Sequence, residues 1–138
     1  MFNPSSDLTA IQNIEIADAA ILNLLALTGK TQVEIAKRII KRSQWTDIVT
    51  NERRLCNFFR PARKMGNQKF NEEVLEIDCH VPATLDYIAY QVQERIFLLL
   101  NEKTINKRTT YFDGQLGELP TMSGFFCVGS RYVFNRKI

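Results

Sequence analysis

The most informative pattern in the sequence is a strict alternation of apolar and polar residues near its middle. Leu75, Ile77, Cys79 and Val81 are separated by single polar residues, and Pro82 follows directly. Alternate side chains of a β-strand point to opposite faces of the sheet, and proline cannot donate to a central ladder. The pattern therefore predicts a strand that buries one face and leaves the other to water or to a partner.

A long helical stripe comes next. Thr84 is a suitable N-cap, and apolar residues then recur every three or four positions to about Asn101. The stripe consists of Leu85, Ile88, Ala89, Val92, Ile96 and Leu99. Because this helix follows the alternating strand so closely, we expect it to pack on the strand's apolar side.

Two further helices are predicted before the sheet. Residues 1–13 contain Pro4 and precede any periodic pattern, so we expect a flexible arm there. Helical spacing predicts a first helix over residues 14–27, with Gly29 as its left-handed cap. Thr31 and Glu34 form a capping box that predicts a second helix, ending at about Arg42.

Three other strands are expected. Residues 55–59 predict a short strand ended by Pro61, followed by an exposed loop up to Asn71. Residues 109–112 indicate a short strand closed by a turn at Asp113 and Gly114, and residues 125–134 indicate a long last strand, central or at an interface.

The order of these elements predicts an α+β fold, with a small antiparallel or mixed sheet and helices packed on one face. A chain of 138 residues suits a single domain spanning residues 1–138. Its longest apolar runs fall far short of the ~20 residues of a membrane span. Cys56, Cys79 and Cys127 form no C-x-x-C pair, so we expect reduced thiols and an intracellular location.

Candidates for chemistry are few. His80 is the single histidine, and Asp78 shares its strand face, whereas Cys79 points the opposite way. We interpret His80 as a solvent-facing strand residue, and Glu76 and Asp78 as part of a solvated or salt-bridged face. The sequence thus predicts a protein that is not an enzyme, with no catalytic residues, metal ligands or cofactor. A pocket enclosed around His80 would contradict this view.

Charge is distributed unevenly, although the net charge is only +3. A basic group flanks the predicted hairpin at Arg53, Arg54, Arg60, Arg63, Lys64 and Lys69, and acidic residues follow at Glu72, Glu73, Glu76 and Asp78. Three interpretations stay open. The hairpin is a solvated tip, or residues 53–69 bind nucleic acid with Phe58 and Phe59 stacking on bases, or the two charge signs meet between identical subunits of a closed ring.

Four segments carry a family resemblance: RLCNFFRPARK, EVLEIDCHVP, YIAYQVQERIFLLLN and GQLGELPTMSGFFCVGSRYVF. Together they resemble the head-tail joining and tail completion (tail terminator) proteins of tailed bacteriophages, from about Arg53 onward. The resemblance implies a hairpin followed by a helix that covers the sheet, and subunits arranged in a ring, usually of six, at the top of the tail tube. The two N-terminal helices depart from the family's single helix and leave open an adaptor or stopper role.

The resemblance also implies partners and a location. The partners would be other copies of the chain, the tail tube protein and the connector or stopper proteins, with the channel DNA nearby and no membrane. The protein would be assembled in the host cytoplasm and reside in the virion neck. The loop from Arg60 to Asn71 would project toward the channel or the tube. Charge and expected exposure select the contact residues Arg60, Arg63, Lys64, Lys69, Glu76 and Asp78.

Overall fold

The computed structural model describes residues 4–45, 52–60, 63–64 and 70–137. These residues form three helices, a sheet, and a fourth helix inserted between the strands. The elements are α1 (Pro4–Ile16), α2 (Ala19–Leu24), α3 (Gln32–Arg38), β1 (Ile39–Ile40), β2 (Arg54–Phe59), β3 (Arg63–Lys64), β4 (Phe70–Pro82), α4 (Asp86–Leu100), β5 (Thr104–Ile105), β6 (Arg108–Leu119) and β7 (Phe125–Lys137). The fold is α+β, as the sequence predicts.

The seven strands form one mixed sheet. Its order is β1-β2-β4-β7-β6-β5, and β3 pairs with β4 beyond the end of β2. The pairing of β1 with β2 is parallel, and every other pairing is antiparallel. Strands β4 and β7 pair from Phe70 opposite Lys137 to Pro82 opposite Phe125. The last strand is therefore central, which confirms one of its two predicted positions.

One face of the sheet is covered by the helices. Leu75, Ile77, Cys79 and Val81 are all fully buried on this face, in a single core cluster with residues of α1 to α4. This confirms that the apolar face of the alternating strand is buried against the helices. We call this side of the sheet the helix face and the opposite side the open face.

The start of α4 differs from the prediction. A 3-10 turn over Ala83–Leu85 precedes the helix, and its N-cap is Leu85 rather than Thr84. The side chain of Asp86 bonds its neighbour, the backbone N–H of Tyr87. The α-helix therefore begins one residue later than an N-cap at Thr84 would give.

The N-terminal region holds three helices rather than two. The predicted arm is wrong for residues 4–13, which form most of α1, and residues 1–3 lie outside the described part of the chain. The single helix predicted over residues 14–27 is also wrong, because the apolar spacing continues across the break between Ile16 and Ala19. Asp18 separates them, since its carboxylate accepts the backbone N–H of Ile21 and starts a new helix. The predicted cap at Thr31 is confirmed by its bond from the N–H of Glu34.

Strand β6 is longer than predicted. The sequence indicates a turn at Asp113 and Gly114, but the strand continues to Leu119. Register shifts between Phe112 and Gly114 and between Gln115 and Gly117 mark two irregularities in its pairing with β7. Gly114 and Gly117 have φ of 131° and 72°, so the glycines bend a continuous strand instead of ending it.

None of the helices in the described part of the chain has the length and apolar character that crossing a bilayer requires.

Candidate functional site

The open face of the sheet forms a concavity of about 700 Å³. Residues of β2, β4, the connector after β1 and the β6–β7 connection surround it. Its lining comprises Ser43, Gln44, Trp45, Phe58, Arg60, Glu76, Asp78, His80, Leu119, Pro120, Thr121 and Met122. We call it the open-face concavity. Its wall combines apolar side chains with a small group of charged and polar ones, which is a composition typical of binding sites.

Two residues that line the concavity, Asp78 and His80, lie close to a third potential ligand group, the fully buried Cys127. Asp78 and His80 are two positions apart on β4, and Cys127 of β7 lies opposite His80 in the strand register. One oxygen of Asp78, one ring nitrogen of His80 and the sulfur of Cys127 all lie within 4.8 Å of one another. The sequence does not reveal this cluster of potential metal ligands, because Cys127 is 47 positions from His80. Only the pairing of β4 with β7 brings the two residues together.

His80 is held on both ring nitrogens. Nδ1 lies 2.8 Å from Oγ1 of Thr121, and Nε2 lies 3.7 Å from Sγ of Cys127. The ring of Trp45 packs edge-on against the imidazole, with centroids 4.8 Å apart. His80 is only 7% exposed, so the expectation that it faces solvent is wrong. Burial lowers its pKa to about 4 and keeps the imidazole neutral near pH 7.

Burial also governs the neighbouring groups. It raises the pKa of Asp78 to about 8, and the adjacent Glu76 raises it further in the same direction. The thiol pKa of Cys127 is raised by burial and by Asp78. Reactive cysteines have lowered pKa values, so the raised pKa favours the protonated thiol of Cys127.

The acidic residues of β4 are largely buried. Glu76 and Asp78 are 5% and 8% exposed, so the solvated alternative for this face is wrong at both positions. Oε1 of Glu76 lies 3.4 Å from Nε of Arg131 and 3.8 Å from Nε of Arg60, in agreement with the salt-bridged alternative. Oδ1 of Asp78 is buried and has no hydrogen-bond partner among the described residues.

Basic residues of the hairpin occupy different environments. Arg60 is about half exposed. Arg54 is 2% exposed, bonds the carbonyl of Lys37 and lies over the ring of Trp45. Arg53 donates to the carbonyl of Leu24. Arg53 and Arg54 therefore connect the sheet to the helices instead of extending a free basic surface.

Strand pairing nevertheless gathers basic positions at one end of the sheet. Arg63 and Lys64 form β3 and pair with Glu72 and Asn71 of β4. On the other side of β4, Asn71 and Phe70 pair with Arg136 and Lys137 of β7. We call these four basic positions of β3 and β7 the basic end. Lys69, the remaining predicted contact residue, lies outside the described residues.

An apolar surface on α4 was not predicted. Tyr87, Tyr90, Phe97 and Leu98 are between 37% and 57% exposed, and their spacing places them on one side of the helix. We call them the α4 stripe. The ring of Tyr90 contacts the ring of Phe126 on β7, and the ring of Phe97 contacts that of Phe112 on β6. A run of exposed aromatic residues of this kind is typical of a protein contact surface.

No protein-family model matches the sequence, and no curated protein is significantly similar to it.

Proposed function

We propose that the chain is a structural virion protein that forms a ring at the head-tail interface, where it closes the tail tube or joins it to the head connector. The observation that carries this proposal is a pair of unlike surfaces on opposite sides of one sheet. The α4 stripe is exposed and apolar, and the open-face concavity has Trp45, Phe58 and Met122 on its wall. A contact between two different surfaces of identical subunits is head-to-tail, and such a contact produces a ring when the rotation between neighbouring subunits closes and an open helix when it does not.

Charge also supports a contact between the α4 stripe of one subunit and the open-face concavity of the next. Asp86 and Glu94 are exposed beside the α4 stripe, whereas the open face holds Arg60 and Arg131, which both lie beside the carboxylate of Glu76. An α4 stripe that approached the concavity of the next copy would bring acidic residues toward basic ones. Such complementarity fixes orientation and suppresses wrong pairings more than it adds affinity.

The chemistry of the concavity is consistent with a structural role. The thiol of Cys127 has a raised pKa, which favours its protonated and less nucleophilic form near neutral pH. Arg63 and Lys64 of the basic end would then face the channel or the tail tube, as the family resemblance implies for the loop from Arg60 to Asn71.

The test is assembly of a variant that changes the α4 stripe without changing the core. Leu98→Lys is expected to prevent ring formation in sedimentation velocity and negative-stain images, recorded with the chain alone and with tail tubes. Val33→Lys is the matched control, because Val33 is 67% exposed on α3. Both variants should keep the stability of the parent within about 0.5 kcal/mol. Rings that form equally well with Leu98→Lys would contradict the proposed contact.

A second test concerns location and the basic end. Mass spectrometry of purified virions should detect the chain, and its absence would contradict the proposal. Replacing Arg63 and Lys64 with glutamate should impair assembly and leave the fold intact. An unfolded double variant would show that these positions have a structural role instead.

Nucleic-acid binding is the second candidate, and the basic end is the observation that favours it. Arg136 and Lys137 join Arg63 and Lys64 across β4 in the strand register, which places four basic positions at one end of the sheet. Fluorescence anisotropy with duplex DNA at micromolar protein would show an affinity that falls steeply with salt if these residues contact phosphates. Binding that is absent at low salt would exclude this candidate.

A further inference from the structure

We propose that Asp78, His80 and Cys127 bind a divalent transition-metal ion, and that Zn²⁺ is the ion that suits these ligands best. The fourth coordination position of the ion would face the open-face concavity. The set offers one sulfur, one imidazole nitrogen and one carboxylate oxygen. Zn²⁺ accepts all three kinds of ligand in tetrahedral sites, and a site with three protein ligands keeps one position for water or another ligand.

The distances fit such a site. Nε2 of His80 lies 3.7 Å from Sγ of Cys127. Tetrahedral zinc with bonds of about 2.0 Å to nitrogen and 2.3 Å to sulfur separates those two atoms by roughly 3.6 Å. All three ligand atoms lie within 4.8 Å of one another. Side-chain adjustments of roughly 1 Å would therefore be enough to complete the coordination.

The position of Asp78 is a second and independent observation. Its side chain is buried and its Oδ1 has no hydrogen-bond partner among the described residues. A buried carboxylate oxygen without a partner is costly. A metal ion at the centre of the cluster would give that oxygen a partner.

His80 is already oriented as a metal ligand would be. With Nε2 bound to the metal, Nδ1 would carry the proton and donate it to Oγ1 of Thr121, which lies 2.8 Å away. Histidine ligands almost always make such a bond from their second nitrogen, because it fixes the tautomer and the ring orientation. When the metal–sulfur bond forms, the thiol proton of Cys127 leaves to solvent.

The experiment titrates Co²⁺, as a spectroscopic substitute for Zn²⁺, into the purified reduced chain. We expect a thiolate-to-cobalt charge-transfer band and the visible bands of a four-coordinate ion, saturating at one equivalent and disappearing when Zn²⁺ is added. Binding should also raise the thermal midpoint by roughly 5 °C when the metal is in large excess over its dissociation constant. If the wild-type chain shows no charge-transfer band, the proposal is wrong whatever the variants do.

Variants assign the ligands. Cys127→Ser should abolish the charge-transfer band, and Asp78→Asn should weaken cobalt binding by roughly tenfold or more. Thr121→Val keeps all three ligands and should weaken binding by roughly tenfold through loss of the support to His80. Cys79→Ala is the matched control, because Cys79 is equally buried but lies on the helix face. A band that persists in Cys127→Ser, or that is lost in a folded Cys79→Ala, would overturn the assignment.

Discussion

Glu15 of α1 accepts a 2.7 Å hydrogen bond from the side-chain amide of Asn57 of β2, inside the core between the helices and the sheet. Both residues are fully buried. Burial raises the pKa of Glu15 to about 8, and the bond from Asn57 lowers it only in part. The first helix is thus joined to the sheet by a carboxyl group that favours its neutral form.

The buried Glu15 predicts a loss of stability at alkaline pH. A carboxyl group with a folded pKa above its unfolded value of 4.5 binds its proton more tightly in the folded protein. Its contribution is complete below about pH 4.5 and is lost as the pH rises through 8. Glu15→Gln keeps a neutral partner for Asn57 and should be more stable than the parent by a few kcal/mol at about pH 9.

Urea unfolding at about pH 5, 7 and 9 measures this difference. The two proteins should have similar stability at the lowest pH and diverge as the pH rises. Glu118→Gln, at an exposed position of β6, is the control and should show no such divergence. A constant difference between Glu15→Gln and the parent at all three pH values would exclude a raised pKa at Glu15.

Gly129 of β7 is predicted to be intolerant of any side chain. A Cβ atom built there would lie 2.5 Å from Oδ1 of Asp78 and 2.7 Å from Cδ1 of Leu119. Gly129→Ala should therefore lower the free energy of unfolding by about 1–3 kcal/mol, the usual cost of overpacking. Chemical denaturation of the single variants and of Gly129→Ala with Asp78→Ala completes a double-mutant cycle. Removing the carboxylate should recover part of the loss, and strictly additive effects would show that Asp78 is not the obstructing group.

Gln93 of α4 carries a buried hydrogen-bond network onto the sheet. Its Nε2 donates to the carbonyl oxygens of Ile77 and Val128, and its Oε1 accepts a 2.6 Å bond from Oγ of Ser130. Gln93→Leu should destabilise the fold by about 1–3 kcal/mol, because the hydroxyl of Ser130 loses its acceptor in the core. Adding Ser130→Ala should restore part of that stability in thermal unfolding. If the double variant is less stable than Gln93→Leu, the hydroxyl has another buried partner.

Local patterns were sufficient for β4 and most of the α4 core. The alternation at Leu75 and Ile77 predicts a strand with one buried face, and the apolar stripe of the helix that follows identifies what covers that face. The sequence does not reveal the buried hydrogen bonds of Gln93. A polar residue inside the apolar stripe of a helix gives no sign of its acceptors, which here lie on strands β4 and β7. The same limitation hid the cluster at His80, since the approach of Cys127 depends on the register of β4 with β7.

Sequence patterns are misleading at the boundaries of helices and strands. The helical spacing runs through Asp18 without interruption, so it predicts one helix over residues 14–27 where the structure has the end of α1 and all of α2. In β6 the opposite error occurs, because Asp113 and Gly114 predict a turn that would end the strand, and the strand continues through Gly114 and Gly117. Their positive φ angles are accommodated inside the strand at its register shifts, which a local sequence signal cannot distinguish from a hairpin turn.

Asp18 provides the last prediction, since it holds α2 in two ways. Its carboxylate caps the helix at Ile21 and also accepts bonds of 2.9 and 2.7 Å from Nε and a terminal nitrogen of Arg95 on α4. Asp18→Ala should cost at least about 1 kcal/mol through the lost cap. Asp18→Asn retains a capping oxygen and loses the ionic bond, so it should be less damaging than alanine. An alanine variant that is as stable as the asparagine variant would mean that the cap contributes nothing.

The same residue has a pH dependence opposite to that of Glu15. The bond from Arg95 is the main cause that holds the pKa of Asp18 below its usual value of 3.8. Stability from a lowered carboxyl pKa is present above the unfolded value and is lost as the pH falls through the folded one. The parent should therefore exceed Asp18→Asn in stability at neutral pH, and the gap should narrow below about pH 3.8. Thermal unfolding of both proteins across this range tests it, and a gap that widens in acid would contradict the ion pair.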